Sequence, residues 1–223
     1  MHFIDVPTEQ TTAATDALVC LVAILLARSV AVTARRPDPT KGRIWSAVFA
    51  LLALAAALGS VAHGFQMNAS TNARLWMPLN LALGLGVALF VVGAVYDLRG
   101  FSLPRRLVPI TLAVGVVFFG VTLVLPDSFL VFVVYEAVAM LFALAVYATL
   151  AVRGALHGAA LMAAGVLVSI AAAAVQASGS VSFTLVWEFD HNGAFHLIQI
   201  VGLILLFYGL KAELCSRGTS STH

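Results

Sequence analysis

Charge is the scarcest commodity in this chain: 12 Lys and Arg and 10 Asp and Glu among 223 residues, about 10%. A soluble domain carries roughly a quarter, so too few charges are present to wet a globule of this size. Cysteine is nearly missing, with two in all, which excludes a disulfide scaffold. Lysine occurs only at Lys41 and Lys211, both placed by the sequence at the cytoplasmic surface. A retinal Schiff base needs a lysine in the membrane interior, so that cofactor is excluded. The net charge of +2 is too small to suggest a nucleic-acid partner. Disorder is excluded by what is abundant: 61% of residues are hydrophobic and the mean hydropathy is +1.03. The composition is that of a membrane protein.

A helix needs about 20 apolar residues to cross the hydrocarbon core. Seven such runs are read, at about 12–34, 44–66, 75–97, 106–126, 128–151, 156–178 and 191–212. They predict an all-α, polytopic seven-helix bundle forming a single domain over 1–223, with no room for a second. Leu125-Pro126-Asp127-Ser128 carries the turn signal between the fourth and fifth runs. Arg153-Gly154 separates the fifth from the sixth, whose combined length is too great for one crossing. The first eleven residues hold Asp5 and Glu9 but no Lys or Arg, so a signal peptide is not expected and the first run is read as a retained helix. Pro78 is placed near the start of the third helix, where it costs little. Trp45, Trp76 and Trp187 lie near span ends and are expected in the interfacial belt. Gly84, Gly86 and Gly93 suggest close helix contact in span three.

Basic residues set the orientation. Arg35, Arg36, Lys41 and Arg43 follow span one; Arg99, Arg105 and Arg106 follow span three; Arg153 follows span five; Lys211 and Arg217 follow span seven. The opposite loops hold Asp5, Glu9, Asp127, Glu188 and Asp190, with Arg74 as their single cation. The amino terminus is therefore expected outside and the carboxyl terminus in the cytoplasm, in a bacterial plasma membrane.

Ionisable groups inside apolar spans are costly and are functional candidates by default. Here they are Asp16, His63, Glu136 and His196, with Asn80, Gln176 and Gln199 as neutral companions. Counting about 1.5 Å per residue from the span ends puts all seven in the outer half of the membrane, Glu136 about 12 Å deep. Such a layer converges only if it faces one interior cavity. His63, His191 and His196, with carboxylates at hand, have the donor chemistry of a Zn²⁺ site that keeps a position for water. Asp16 or Glu136 would then be the general base or would orient a ligand, and Ser60 would assist through a hydrogen bond. His191 and His196 are five apart, about 140° on a continuous helix, so the pair requires His191 to precede the helix, with Asp190 or Asn192 as cap. Asn192 and His196 do share a face. A polar cluster that only fixes helix packing is the competing reading. Ser60, likewise, is the kind of serine that more often bonds its own helix.

Two resemblances follow from these residues. Gly59-Ser60-Val61-Ala62-His63 and His191-Asn192-Gly193-Ala194-Phe195-His196-Leu197 distantly resemble the motifs of the CREST superfamily, which holds alkaline ceramidases and adiponectin-receptor-like proteins. That resemblance implies seven spans, three zinc-binding histidines and hydrolysis of lipid amides. The chain departs from the pattern in having two residues between Ser60 and His63, four between His191 and His196, and Asn80 in place of a third-span Asp. A broader likeness, to a group of small bacterial seven-span membrane proteins, runs through Thr15-Asp16, His63-Gly64-Phe65, Tyr135-Glu136, Gly165 through Gln176, and His191 through Gln199. It brings no activity, but it marks the same residues as the depth argument.

The leading expectation is thus a metal-dependent intramembrane hydrolase acting on an amphipathic acyl lipid, amide or ester, at the outer leaflet, with membrane lipids as its partners. The alternatives are a non-enzymatic accessory or binding subunit, packed against membrane-protein partners or a second copy, and a proton-coupled transporter. Against the transporter stands an inner half without comparable polar groups.

Overall fold

The structure, a computed structural model, describes residues 2–125 and 129–220. Seven helices account for most of it: α1 (Pro7–Thr33), α2 (Pro39–Gly64), α3 (Ala69–Leu98), α4 (Leu107–Val124), α5 (Phe129–Val152), α6 (Ala159–Ser178) and α7 (His191–Ser220). All seven are long and apolar enough to cross a membrane, so the chain is a multi-pass, all-α membrane protein. Four two-residue strands, β1 (His2–Phe3), β2 (Phe65–Gln66), β3 (Phe183–Thr184) and β4 (Glu188–Phe189), pair antiparallel as β1–β2 and β3–β4. Pro126, Asp127 and Ser128 of the expected α4–α5 turn, and His223, lie outside the described residues.

Local chemistry sets the helix starts. Asp38 caps α2 by accepting the Lys41 N–H at 2.9 Å, with Pro39 opening the first turn. Asn68 caps α3 by accepting the Thr71 N–H at 2.8 Å. Because α3 begins at Ala69, Pro78 lies within it rather than near its start, and the Arg74 carbonyl loses its usual donor.

Six helices form a ring: α1 packs on α2, α2 on α3, α3 on α5, α5 on α6, α6 on α7, and α7 back on α1; α4 sits outside against α3 and α5. With lipid as solvent, close approach of small residues holds helices together. A Cβ at Gly165 would meet the Gly202 carbonyl at 2.8 Å, and one at Gly209 would meet the Gly158 carbonyl at 2.8 Å, so α6 and α7 are in backbone contact. Gly84 is pressed against the Gly115 carbonyl in the same way, as the small residues of α3 suggest. The ring interior is a continuous apolar core that includes Leu26, Phe49, Phe90, Val146, Met162 and Leu206. Trp45 is part of that core, 0% exposed and edge-on to Phe90, and not in the interfacial belt expected of it.

The end remote from the amino terminus is closed by a buried ionic network. Lys41 Nζ donates to Asp97 Oδ1 at 2.7 Å, with side-chain exposures of 1% and 0%, so this lysine is not at the surface where the sequence placed it. Tyr147 donates to the other Asp97 oxygen at 3.1 Å. Beside them Asp38 accepts from Tyr96 and Arg217, and Arg217 also pairs with Glu213 at 2.7 Å while stacking over the Phe101 ring. The His157 N–H donates to Glu213. The network joins α2, α3, α5 and α7 to three of the connecting segments. Cys20 and Cys215 are both free, as their separation requires.

Candidate functional site

The sequence-predicted polar layer lies at the amino-terminal end of the ring, and its centre is a contact between α1 and α7. His196 Nε2 faces Asp16 Oδ1 at 3.2 Å, and both side chains are buried. Thr15, one residue earlier on α1, has its hydroxyl 3.0 Å from His196 Nδ1. The Thr15 hydroxyl has one hydrogen and two carbonyls to receive it, Thr11 at 2.9 Å and Thr12 at 3.0 Å. The direction of its hydrogen bond with Nδ1 follows the imidazole tautomer. A bare Nε2 opposite an ionised Asp16 would set two lone pairs against each other. A proton therefore lies between Asp16 and His196, and the two act as a single acid–base unit.

Asp16 is positioned from the other side by α2. A Cβ on Gly59 would lie 2.7 Å from Asp16 Oδ2, so the carboxylate occupies the space that glycine leaves. Ser60 follows, and its hydroxyl crosses to α1 and donates to the Ala13 carbonyl at 2.9 Å, not to its own helix. Ser60 and Ala13 also line a half-open, mostly apolar cleft of about 570 Å³, completed by Phe3, Gln10, Ala14, Ala17, Gly64 and Phe65. The wall of this cleft at Ser60 and Ala13 adjoins in sequence the Gly59 that seats Asp16.

The other candidates divide into groups. His63 Nδ1 meets Glu9 Oε2 at 2.7 Å, half-buried, with its ring edge-on to Trp76. Gln176 donates to Asn192 at 3.2 Å, and Asn192 donates to Asp190. Gln199 keeps a buried side-chain oxygen without a partner. Glu136 lies three and seven residues before the buried Ala139 and Ala143, on the inward face of α5; neither it nor Asn80 makes a side-chain hydrogen bond among the described residues. His191 is the first residue of α7, and Asp190 is the cap, accepting the Asn192 N–H at 3.0 Å and the Gly193 N–H at 2.9 Å. His191 and His196 therefore share one helix and point about 140° apart. Among the described residues no group of three or more His, Cys, Asp or Glu is arranged to hold a metal ion. The residues do not fit the three-histidine zinc set: both ring nitrogens of His196 are engaged, and His63 belongs to Glu9.

Asp190 also accepts the Thr12 hydroxyl at 3.0 Å. Burial pushes its carboxyl up, but the Gly193 N–H, Thr12, the neighbouring His191 charge and the Asn192 N–H outweigh that and hold it below the ordinary 3.8. Thr11 and Thr12, and the contact of Thr15 with His196, were the part sequence reasoning missed. Thr11, Thr12 and Thr15 are buried in the same turns of α1 as Asp16, and this threonine-rich stretch ahead of an intramembrane carboxylate was the available signal.

No curated protein and no solved structure matches the chain. A family model does match, over residues 11–214, a stretch that takes in Asp16, Ser60, His63, Glu136, His191 and His196. On that match the chain belongs to a family of unknown function, DUF6962.

Proposed function

We propose that this protein is an intramembrane hydrolase of an amphipathic acyl lipid, ester or amide, in which the Asp16–His196 pair is the general base. The observation that carries the reading is that pair: two titratable groups sharing one proton in an apolar interior, beside a cleft shaped for hydrocarbon. Asp16 is assigned the base in preference to Glu136 because Asp16 alone is joined to a histidine. The acyl chain lies in the cleft along Ala14 and Ala17, with its carbonyl at the Ala13–Ser60 wall. Water adds to the acyl carbon while its proton passes to the pair. The acyl C–O or C–N bond then breaks, and the pair returns the proton to the departing oxygen or nitrogen. Ser60, its own proton held by the Ala13 carbonyl, offers lone pairs that orient the water. No step runs through a metal, since the donor set does not fit one.

Two features favour this over transport. Between the Asp16–His196 level and the Lys41–Asp97 network the interior is filled by Leu26, Val146, Met162 and Leu206, and the buried Ser169 there bonds back to the Gly165 carbonyl of its own helix; among the described residues no chain of ionisable groups links the two levels. The buried charged groups at the far end, Lys41, Asp97, Asp38 and Glu213, are already paired with one another or with Arg217. The test is release of fatty acid from a panel of ester- and amide-linked lipids by protein reconstituted in bilayers. Release by the wild type that falls about 100-fold or more in Asp16→Asn and His196→Gln supports the proposal. Lipid retained through purification but never cleaved would overturn it and leave a binding protein.

A further inference from the structure

The link between α6 and α7 is a hairpin whose tip is apolar. Phe183 pairs with Phe189 and Thr184 with Glu188, and the two phenyl rings stack at 5.1 Å. The turn is closed by the Leu185 N–H donating to the Trp187 carbonyl at 3.2 Å. The tip is thus a built element, yet Leu185, Val186 and Trp187 are 75%, 80% and 67% exposed. Three consecutive large apolar side chains held out into water would be an unexplained expense. Their place supplies the reason. The hairpin starts where α6 ends, at Ser178, and returns where α7 begins, at His191, so it emerges where two spans leave the bilayer. Phe3 and Trp76 are exposed apolar side chains at the same end. Residues 179–190 contain no Lys or Arg, so attraction to anionic headgroups contributes nothing.

We infer that the Leu185–Trp187 tip inserts into the headgroup–acyl boundary of the bilayer and fixes the depth of the site. The occupant is lipid, because the patch runs on from the lipid-facing surface of the spans and a tryptophan at that level is the residue the interface selects. The hairpin is tied to both halves of the site. The Glu188 carbonyl accepts the Thr11 hydroxyl at 2.6 Å, and Asp190 accepts the Thr12 hydroxyl while capping α7. A shift of the tip is thereby passed to the turn of α1 that carries Asp16 and to the first turns of α7 that carry His196. This inference does not depend on hydrolysis.

The experiment uses the full chain in phosphatidylcholine nanodiscs, with Trp45→Phe and Trp76→Phe leaving Trp187 as the single fluorophore. An interfacial element sits roughly 5–10 Å into the boundary, so bromines placed high on the acyl chain should quench about twofold more than bromines near its end. Aqueous iodide should quench little, and adding phosphatidylglycerol should change nothing. Because Trp45 lies in the core, a second variant guards against misfolding: Val186→Cys, in a Cys20→Ser, Cys215→Ser background, carrying a nitroxide. Its label should be relaxed more by oxygen than by a water-soluble nickel chelate. Efficient iodide quenching with no bromine effect, or a label open to the chelate, would overturn the inference. So would protection from both bromine and iodide, which would mean that a protein and not lipid covers the tip.

Discussion

Replacing Lys41 with methionine removes a charge while keeping the length of the side chain, and the structure fixes what this should do. The Lys41 and Asp97 side chains are 1% and 0% exposed and 2.7 Å apart. Without the ammonium, Asp97 keeps only the Tyr147 hydroxyl at 3.1 Å and becomes an uncompensated buried charge. Breaking a buried pair from one side costs about 3–5 kcal/mol. Asp97→Asn should cost a similar amount, because it strands Lys41. Removing both charges should restore most of the loss, since exchange of a whole buried pair for neutral groups is close to neutral. The two single losses would sum to about 6–10 kcal/mol, while the double variant should lose less than about 2 kcal/mol. Unfolding in mixed micelles, followed by helicity and by protease resistance, measures all three. A single variant that loses under about 1 kcal/mol, or a double variant that loses the sum of the singles, would refute a sealed ion pair at this end of the bundle.

Gly59→Ala places a methyl group 2.7 Å from Asp16 Oδ2 and must displace the carboxylate from its present alignment with His196. Lipid hydrolysis should fall about 100-fold with a stability loss of only about 1–3 kcal/mol, and unchanged turnover would count against the assigned geometry. Asp190, held below its ordinary 3.8, favours the folded state at any pH above that value, and this contribution disappears as pH falls through the lowered folded value. Amide exchange at Gly193 and Ala194, corrected for intrinsic rates, should show that acid limb in the wild type and lose it in Asp190→Asn; identical acid profiles would dismiss the cap. Elemental analysis should find no stoichiometric transition metal, and zinc at one per chain that vanished in His63→Ala would contradict the pairing of His63 with Glu9.

The spans were legible because twenty apolar residues have one stable fate in lipid, and Leu, Val and Ala fill every run. Trp45 and Lys41 were misjudged for a shared reason. A tryptophan or a lysine near a span end normally snorkels to the interface, and only the packing of α3 shows that Phe90, Gly93 and Asp97 instead receive them. Depth counting assigned Asp16 and His196 to one layer, and there they meet. It carried no information about rotation. His63 was therefore grouped with His196, whereas the register of α2 turns it to Glu9 at the mouth. His191 failed as a ligand on the point the spacing had raised: the helix begins with it and not after it. The hydroxyl that meets the His196 ring comes from Thr15, with the Thr11 carbonyl behind it, and spacing alone does not distinguish such a threonine from helix filler.

The most direct test of the Asp16–His196 unit as a hydrolytic base is isotopic. Protein reconstituted with a cleavable acyl lipid in ¹⁸O-labelled water should release fatty acid carrying one labelled oxygen, and Asp16→Asn should release none above background. Released acid without the label, or labelled acid in equal amount from Asp16→Asn, would contradict the account.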